Sequence, residues 1–263
     1  MSTIVLVFYF IIGTAVGSFL NVWSRRLLRG QFPTGRSRCE HCKHVLGFFD
    51  LIPLLSFAAL RGRCRYCKKP FSWQYPIVEA GTGLLFAALA SSQLPTTDYR
   101  LLIILAFISL LVASSALIAI FITDISAQAI FDQTLWIAGV AAFFYRLFLK
   151  EFNLNELLPD LFTAFLVFLF FLSVRLITKK KGLGEGDPPL GFAAALLVGF
   201  PYALVELFLA FVGGGAAATV LVLSGKNKLK DRIAFGPFLV PAVFATIFFG
   251  EQIWNWYLGV LGL

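Results

Sequence analysis

The sequence predicts an all-α polytopic membrane protein with seven or eight transmembrane helices and one small soluble insert between the first two. Of its 263 residues, 59% are hydrophobic and only 14% are charged, and the mean hydropathy is +0.85. A soluble globular domain is nearer half apolar and a quarter charged. Apolar runs also recur with about the 20 residues that cross about 30 Å of hydrocarbon. These runs occupy 3–23, 77–94, 101–122, 134–149, 158–177, 190–211, 212–223 and 234–260.

The first apolar run, 3–23, has the form of a membrane anchor. No basic residue precedes it, and Arg25, Arg26 and Arg29 follow it. A cleaved signal peptide has the opposite arrangement, with basic residues first and a shorter apolar core. The positive-inside rule then predicts an amino terminus outside the membrane.

The remaining basic residues orient the other segments. With eight spans, the predicted cytoplasmic segments hold 11, none, 4 and 4 of the Lys and Arg residues, which is 19 of 22. The other three, Arg100, Arg146 and Lys150, lie on or beside predicted outer loops. This bias is the positive-inside pattern, so the net charge of +8 does not indicate a nucleic-acid-binding face. The four cytoplasmic segments are 24–76, 123–133, 175–189 and 224–233.

The stretch 188–224 is open to two interpretations. Gly199, Pro201 and the glycines at 213–215 interrupt an otherwise apolar run. Two short spans that meet near Phe200–Pro201 would explain them, and so would one long broken helix. The span count of seven or eight reflects this choice.

The soluble insert, 24–76, carries two Cys-x-x-Cys pairs, Cys39/Cys42 and Cys64/Cys67, with 21 residues between them. This is close to zinc-ribbon spacing, and four thiolates fill a tetrahedral zinc shell. Neighbouring Arg and Lys side chains are expected to lower the thiol pKa values, and His41 and His44 are alternative ligands. Two disulfides are the competing interpretation, which a reducing cytoplasm disfavours. A closed four-cysteine site predicts a structural metal rather than a catalytic one.

Two acids are predicted to meet at the cytoplasmic edge of the membrane. Asp124, in "FITDISAQAIFDQ", ends the third apolar run, where the negative end of the helix dipole makes a capping role unfavourable. Asp187, in "GLGEGD", precedes the sixth run at the same predicted depth. Ionisable groups at such positions are functional candidates by default.

Asp187 also has a purely structural interpretation. Asp before Pro188 is a good helix N-cap, with proline in the first helical position. The flanking Gly184 and Gly186, however, let backbone approach closely, which a cap does not need. Asp132, in "FDQT", is predicted to be a plain N-cap of the fourth span.

Two converging carboxylates share one proton, because both cannot ionise easily. One can then deprotonate a water while the other protonates a carbonyl oxygen, which hydrolyses a peptide bond. The residues therefore predict aspartic-peptidase chemistry at the membrane edge. Competing interpretations are a transporter that uses the acids as a cation or proton relay, and a docking platform built on the cysteine segment.

Several segments, in this order, resemble bacterial prepilin peptidases, the type IV leader peptidases of the GxGD aspartic protease class. The resemblance implies a multi-pass bacterial inner-membrane enzyme that cuts the basic leader from prepilins or pseudopilins at the cytoplasmic face. The segments are "GSFLNVWSRRL" (17–27), "RCEHCKHVLGFFDLIPLLSFAALRGRCRYCKKPFSWQYPIVEA" (38–80), "ITDI" (122–125), "GLGEGD" (182–187) and "AFGPFLVPA" (234–242).

The resemblance also assigns roles to residues. It puts Asp124 and Asp187 at the two catalytic positions, and Cys39, Cys42, Cys64 and Cys67 at the metal-binding positions. It implies a first helix at 1–23, a cysteine segment at 24–76 and a membrane-embedded peptidase domain at 77–263. Many members also N-methylate the new amino terminus with S-adenosylmethionine, although nothing else in the sequence indicates a pocket for that cofactor.

The chain departs from the family pattern at three places. Pro189 replaces the usual Lys two residues after the second aspartate, Ile130-Phe131-Asp132 lacks the usual proline, and Glu40–His41 replaces the usual proline of the first cysteine pair. Both aspartates and all four cysteines remain, so we expect an active enzyme. The alternative is a catalytically inactive relative that docks in a pilus or type II secretion assembly.

Four further polar residues have predicted roles. Asn21 and Ser18 either contact the leader or hydrogen-bond a neighbouring helix. Glu79 lies in the first turn of the second span and is a candidate to hold the site or a basic leader. Glu206 is predicted to be structural.

Overall fold

The computed structural model describes residues 2–32, 34–94, 101–179, 182–224 and 234–262, without the side chains of residues 221 and 222. Within these ranges the chain forms nine α-helices and one short 3₁₀ helix, Phe48–Asp50, and no β-strand. The α-helices are α1 Thr3–Leu28, α2 Leu55–Ala59, α3 Gln74–Gln93, α4 Leu101–Ala127, α5 Asp132–Leu149, α6 Leu154–Ile177, α7 Asp187–Val198, α8 Tyr202–Leu223 and α9 Gly236–Leu261.

The all-helical architecture is the predicted one, and every apolar run lies on helices, although the run 190–211 crosses the break between α7 and α8 and 212–223 is the second half of α8. Five of the described helices are long and apolar enough to cross a membrane: α1, α4, α6, α8 over Tyr202–Val220, and α9. The count of seven or eight spans stays a prediction, because α3, α5 and α7 do not meet both conditions.

The stretch 188–224 forms two helices rather than one. α7 ends at Val198, α8 begins at Tyr202, and the Phe200–Pro201 peptide bond between them is cis. The 12 residues of α7 rise about 18 Å. α7 is therefore much shorter than the about 30 Å of a hydrocarbon core.

The chain divides into two compact units, residues 1–98 and 99–263. In the first unit α1 packs along α3, and glycines let the two backbones approach closely. A Cβ added to Gly17 would lie 2.9 Å from Cα of Glu79, and one added to Gly83 would lie 2.7 Å from a Thr14 methyl group. Small residues at such crossings are typical of membrane helix pairs.

The second unit surrounds α7. This helix packs against α5, α6, α8 and α9, and ten of its 12 residues are buried. α4 packs against α5 and α9. Because α7 has protein on all sides, the position of its first residue, Asp187, is determined by the packing of the whole unit. The functional division at 1–23, 24–76 and 77–263 stays a prediction.

A buried ion pair holds the junction between α7 and α8. Arg146, in the last turn of α5, lies with Nε 3.8 Å from Oδ2 of Asp160 in α6, and both side chains are at most 10% exposed. Nε of Arg146 also donates to the carbonyl of Leu196, and Oδ1 of Asp160 accepts the N–H of Phe200 at 2.8 Å. Gly199 has φ +70° and fits against both side chains, where a Cβ would overlap them.

This ion pair changes the interpretation of Arg146. The predicted position on or beside an outer loop agrees with the last turn of α5, but the side chain is buried and paired with Asp160 inside the second unit rather than a free topology charge. Arg100 and residues 225–233, which carried part of the charge count, lie outside the described residues.

Candidate functional site

Asp124 lies in the last turn of α4 with only 4% of its surface exposed. Its Oδ2 accepts a hydrogen bond of 2.9 Å from the backbone N–H of Gly236, the first residue of α9. A Cβ on Gly236 would lie 2.5 Å from that oxygen. The donor therefore reaches the carboxylate only because residue 236 has no side chain.

Asp187 is the first residue of α7 and is 5% exposed. Its Oδ2 accepts the N–H of Gly184 at 2.6 Å, so the carboxylate turns back onto the preceding loop. Gly186, not Asp187, occupies the N-cap position, and no side-chain capping bond is formed there. The capping interpretation of Asp187 is therefore not realised in the structure.

The predicted cap at Asp132 is displaced by one residue. Phe131 is the N-cap of α5, and Asp132 lies exposed in the first turn. An acid in that turn still interacts favourably with the helix dipole. Asp132 therefore stabilises the start of α5 and is not needed for the proposed chemistry.

The fold brings the two predicted catalytic acids into one site. Asp124 and Asp187 lie close enough for their charges to interact, although 63 positions separate them in the sequence. The loops beside them are also in contact, since a Cβ on Gly186 would lie 2.7 Å from Cβ of Ile130. Two buried carboxylates whose charges interact, each with one N–H donor, do not both ionise easily, as an acid–base pair requires.

The loop before Asp187 is tied to the end of α6. The N–H of Gly182 donates to Oγ1 of Thr178 at 3.3 Å, and the guanidinium of Arg175 pairs with the carboxylate of Glu185 at 2.5 Å. Glu185 is the variable residue of the Gly-x-Gly-Asp sequence. α6 therefore carries a cation to the immediate neighbourhood of the second acid.

The four cysteines of the first unit form one cluster that could hold a metal ion. Their sulfur atoms lie within 4.8 Å of one another, and Sγ of Cys39 lies 3.8 Å from Sγ of Cys67. Zinc bonded to four sulfurs at about 2.3 Å needs sulfur–sulfur distances of about 3.8 Å. All four are free thiols rather than disulfides. The donor set and its spacing thus fit one tetrahedral ion.

The two cysteine pairs adopt the same local structure. In each, the N–H of the first cysteine bonds to a carbonyl five residues later, that of His44 for Cys39 and that of Lys69 for Cys64. Isolated β-bridges, Arg38–Val45 and Arg63–Pro70, close the two turns. Such a repeated turn presents two sulfurs from each pair to one centre.

Hydrogen bonds, and not the Arg and Lys side chains expected from the sequence, favour the thiolate of Cys39. Burial raises the pKa of this thiol, but hydrogen bonds from the N–H groups of Cys42 and His41 and from the thiols of Cys64 and Cys42 outweigh burial and lower that pKa to about 7. The N–H of His44 lowers the pKa of Cys42, but desolvation and hydrogen bonds with the other three thiols raise it to about 11. A thiolate is the form that binds a metal.

The remaining polar residues mostly hold helices together. Nδ2 of Asn21 donates to the carbonyls of Gly17 and Tyr75, so Asn21 joins α1 to α3. The carboxylate of Glu79 accepts the N–H of Leu54 at 2.8 Å and thereby attaches the insert to α3. Glu206 is fully buried, and neither of its carboxylate oxygens finds a partner within the described ranges.

Three residues that hold this site or the far end of α7 have no role predicted from the sequence. Gly236 lies inside a family segment, and its place before a proline at a helix start is the available signal. The sequence identifies Arg175 only as a topology charge. Asp160, the buried partner of Arg146 at the other end of α7, carries no signal, because an acid near the start of an apolar run resembles a helix-end residue.

Comparison with known proteins agrees with the motifs. A model described as the bacterial peptidase A24 N-terminal domain matches residues 11–93, and one described as the type IV leader peptidase family matches residues 111–219. These ranges contain the cysteine cluster and both acids, respectively.

Three full-length relatives carry the name prepilin leader peptidase/N-methyltransferase. The Aeromonas hydrophila protein is 30% identical over 85% of this chain and 74% of its own length. The Stutzerimonas stutzeri protein is 30% identical over 94% of this chain and 92% of its own. The Legionella pneumophila protein is 32% identical over 85% and 76%, respectively. No solved structure gives a significant match. With both family models and these relatives in agreement, the chain belongs to the type IV leader peptidase family.

Proposed function

We propose that this protein is a membrane aspartic endopeptidase that removes the basic leader from type IV prepilins or pseudopilins, with Asp124 and Asp187 as its catalytic pair. The observation that carries the proposal is the convergence of these two buried carboxylates in one site. Relatives named as prepilin leader peptidases supply the substrate class.

The pair hydrolyses the peptide bond by general acid–base catalysis. The ionised carboxylate removes a proton from a water molecule, whose oxygen bonds to the carbonyl carbon, while the protonated carboxyl gives its proton to the carbonyl oxygen. The carboxyl that took the proton from water then gives it to the departing nitrogen as the C–N bond breaks, and the other carboxylate takes back a proton from a hydroxyl of the tetrahedral intermediate, which becomes the new carboxyl group. Glycine N–H groups hold Oδ2 of each acid, so Oδ1 can turn to the water and the substrate.

The proposed location is the bacterial inner membrane, with the site on the cytoplasmic side. The excess of Lys and Arg in the predicted cytoplasmic segments supports this orientation. A prepilin has a basic leader followed by an apolar helix, so its scissile bond would lie at the membrane edge. Such a helix can dock by packing between apolar helices within the bilayer.

The test is cleavage of a prepilin peptide by the purified full-length protein, followed by mass spectrometry. Asp124→Asn and Asp187→Asn should each reduce the rate by ~10² or more, because each removes one acid–base group. Asp132→Asn is the matched control, since it changes an exposed acid that the proposed chemistry does not use. Wild-type cleavage by either active-site variant would contradict the proposal and favour a docking role.

We also propose that the enzyme N-methylates the new amino terminus with S-adenosylmethionine. The names of the relatives, which pair the peptidase with an N-methyltransferase, support this activity. The same experiment tests it, because the cleaved product should gain the mass of one methyl group only when S-adenosylmethionine is added. A product that keeps its unmodified mass with the methyl donor present would refute this second activity alone.

The metal proposed for the cysteine cluster is a structural zinc ion. Four sulfurs leave no open coordination position, so the ion is assigned to folding the insert and not to catalysis. The insert contains few helical residues and depends on such a cross-link for its fold.

A further inference from the structure

Arg175 is a partly buried cation at the end of a membrane helix. It lies in the last turn of α6, its side chain is 14% exposed, and its one ion-pair partner among the described residues is the 87% exposed Glu185. Its Nε is buried and has no hydrogen-bond partner in the described part of the chain. A buried donor without a partner costs free energy, so its presence needs an explanation.

The contacts around Arg175 explain why a guanidinium is buried at this position. Its partner Glu185 lies between Gly184, which donates to Asp187, and Gly186, which contacts Ile130. Thr178, one turn after Arg175, holds the other end of the same loop through the N–H of Gly182. The end of α6 therefore contacts residues 182 and 185, in the described part of the loop that leads to Asp187.

Arg175 also lies close enough to Asp187 for the two charges to attract. The exposed Glu185 is screened by water and cancels only part of the charge of the guanidinium. Asp124, at the end of α4, contributes a negative charge. The site thus contains two carboxylates and one nearby cation, an arrangement that favours loss of one of their protons over retention of both.

We propose that Arg175 is a positioning residue of the peptidase site, which orders the Gly184–Asp187 turn through Glu185 and keeps one of the two acids ionised as the pH falls. This inference rests on the proposed function, because it assumes that Asp124 and Asp187 act as an acid–base pair. Arg175 acts through Asp187 and need not touch the substrate.

The inference concerns pH, so every charged group near the pair matters. α4 supplies Asp124 and α6 supplies Arg175, and the loop itself supplies Glu185. The contact between Gly186 and Ile130 shows that α5 begins at the same end, with the exposed Asp132 in its first turn. Lys179, which is exposed, lies two residues after the end of α6.

The test compares pH profiles of kcat/KM for prepilin-peptide cleavage by the full-length protein. In Arg175→Gln, the acidic limb should move to higher pH by roughly half a unit to one unit, because a cation that favours the ionised acid is gone. Arg175→Lys should keep the limb near its wild-type position. Glu185→Gln breaks the same ion pair but removes a negative charge, so its limb should stay in place or move to lower pH.

The two ion-pair variants separate positioning from simple structural support. If Arg175 only braced the loop, both would lose kcat to a similar extent with an unchanged limb, and that result would overturn the inference. A shift of the acidic limb to higher pH in Glu185→Gln would overturn the inference as well. Glu185 is exposed, so its variant should fold even where an Arg175 variant does not.

Asp187→Asn, measured alongside, distinguishes the two levels of proposal. Wild-type cleavage by Asp187→Asn would refute the proposed function itself. An inactive Asp187→Asn together with an unshifted Arg175→Gln would refute only the role of Arg175.

Discussion

The N–H of Gly236 donates to Oδ2 of Asp124 over 2.9 Å, across a sequence separation of 112 residues. This bond joins the end of α4 to the start of α9 and fixes one oxygen of a candidate catalytic carboxylate. Preorganised groups of this kind determine whether a reacting atom is held in a productive position.

Replacing Gly236 with Ala should therefore reduce catalysis more than stability. The new Cβ would lie 2.5 Å from Oδ2 of Asp124 and displace that carboxylate. A displacement near 1 Å costs up to ~10² in rate. Peptide cleavage per mole of inserted protein is the measurement. Gly139→Ala is the control, because a Cβ there meets nothing within 4 Å and should leave the rate unchanged.

Gly186→Val should abolish cleavage while the protein still inserts in the membrane. Its Cβ would lie 2.7 Å from Cβ of Ile130, so the loop would have to move away from α5 and carry Asp187 with it. Steady-state cleavage and membrane abundance would be measured together. Normal cleavage by this variant would contradict a tightly packed loop.

A double mutant tests whether the effect at Gly186 comes from its contact with Ile130. Ile130→Ala should restore part of the activity lost in Gly186→Ala, because it removes Cγ2 and Cδ1, two of the three atoms that the new methyl group meets, and leaves only Cβ. Residues in direct contact show such coupling, whereas distant pairs are additive. Strict additivity would show that Gly186 acts by backbone freedom and not by contact with Ile130.

Removing Arg146 should destabilise the second unit strongly. Arg146→Ala leaves Asp160 as an unpaired buried charge, which typically costs about 3–5 kcal/mol. Thermal unfolding in detergent would measure the loss. Lys150→Ala is the control, since its partner Glu156 is exposed and such pairs contribute about 1 kcal/mol or less. Equal stability of both variants would argue against a structural role for the buried pair.

The cysteine cluster should bind one zinc ion per chain, and Cys39→Ser should lose it. Cys39 is buried among the other ligands, so its loss removes a thiolate and opens the centre. Elemental analysis of purified protein and protease sensitivity of the insert would report the two effects. His41→Ala should retain the metal, because four sulfurs complete the shell without it. Loss of metal from that variant instead would show that a histidine replaces one sulfur.

Helix positions followed from the sequence because hydropathy is a local property. The apolar run at 158–177 became α6, which begins four residues earlier, and Gly199 and Pro201 marked the break that separates α7 from α8. Asp124 and Asp187 were predicted to meet because both were assigned to one edge of the membrane.

The contacts that shape the site were not predictable in this way. The hydrogen bond from Gly236 to Asp124 depends on how α9 packs against α4, and the hydropathy of the sequence does not predict that packing. Charge counting places Arg146 on or beside an outer loop and treats every cation near a helix end alike, so it does not predict that the side chain is buried. Its burial becomes evident only when Asp160 and the open turn at Gly199 are seen beside it.

The short length of α7 links this enzyme to the thickness of its bilayer. α7 rises about 18 Å, which leaves ~12 Å of a typical acyl-chain layer uncovered. Charged groups stand at both of its ends, Asp187 at one and the Arg146–Asp160 pair at the other, and neither end tolerates contact with lipid tails. Because α5, α6, α8 and α9 surround α7, protein rather than lipid covers these ends, and the water consumed in hydrolysis must reach Asp187 through the protein and not along a lipid-facing surface.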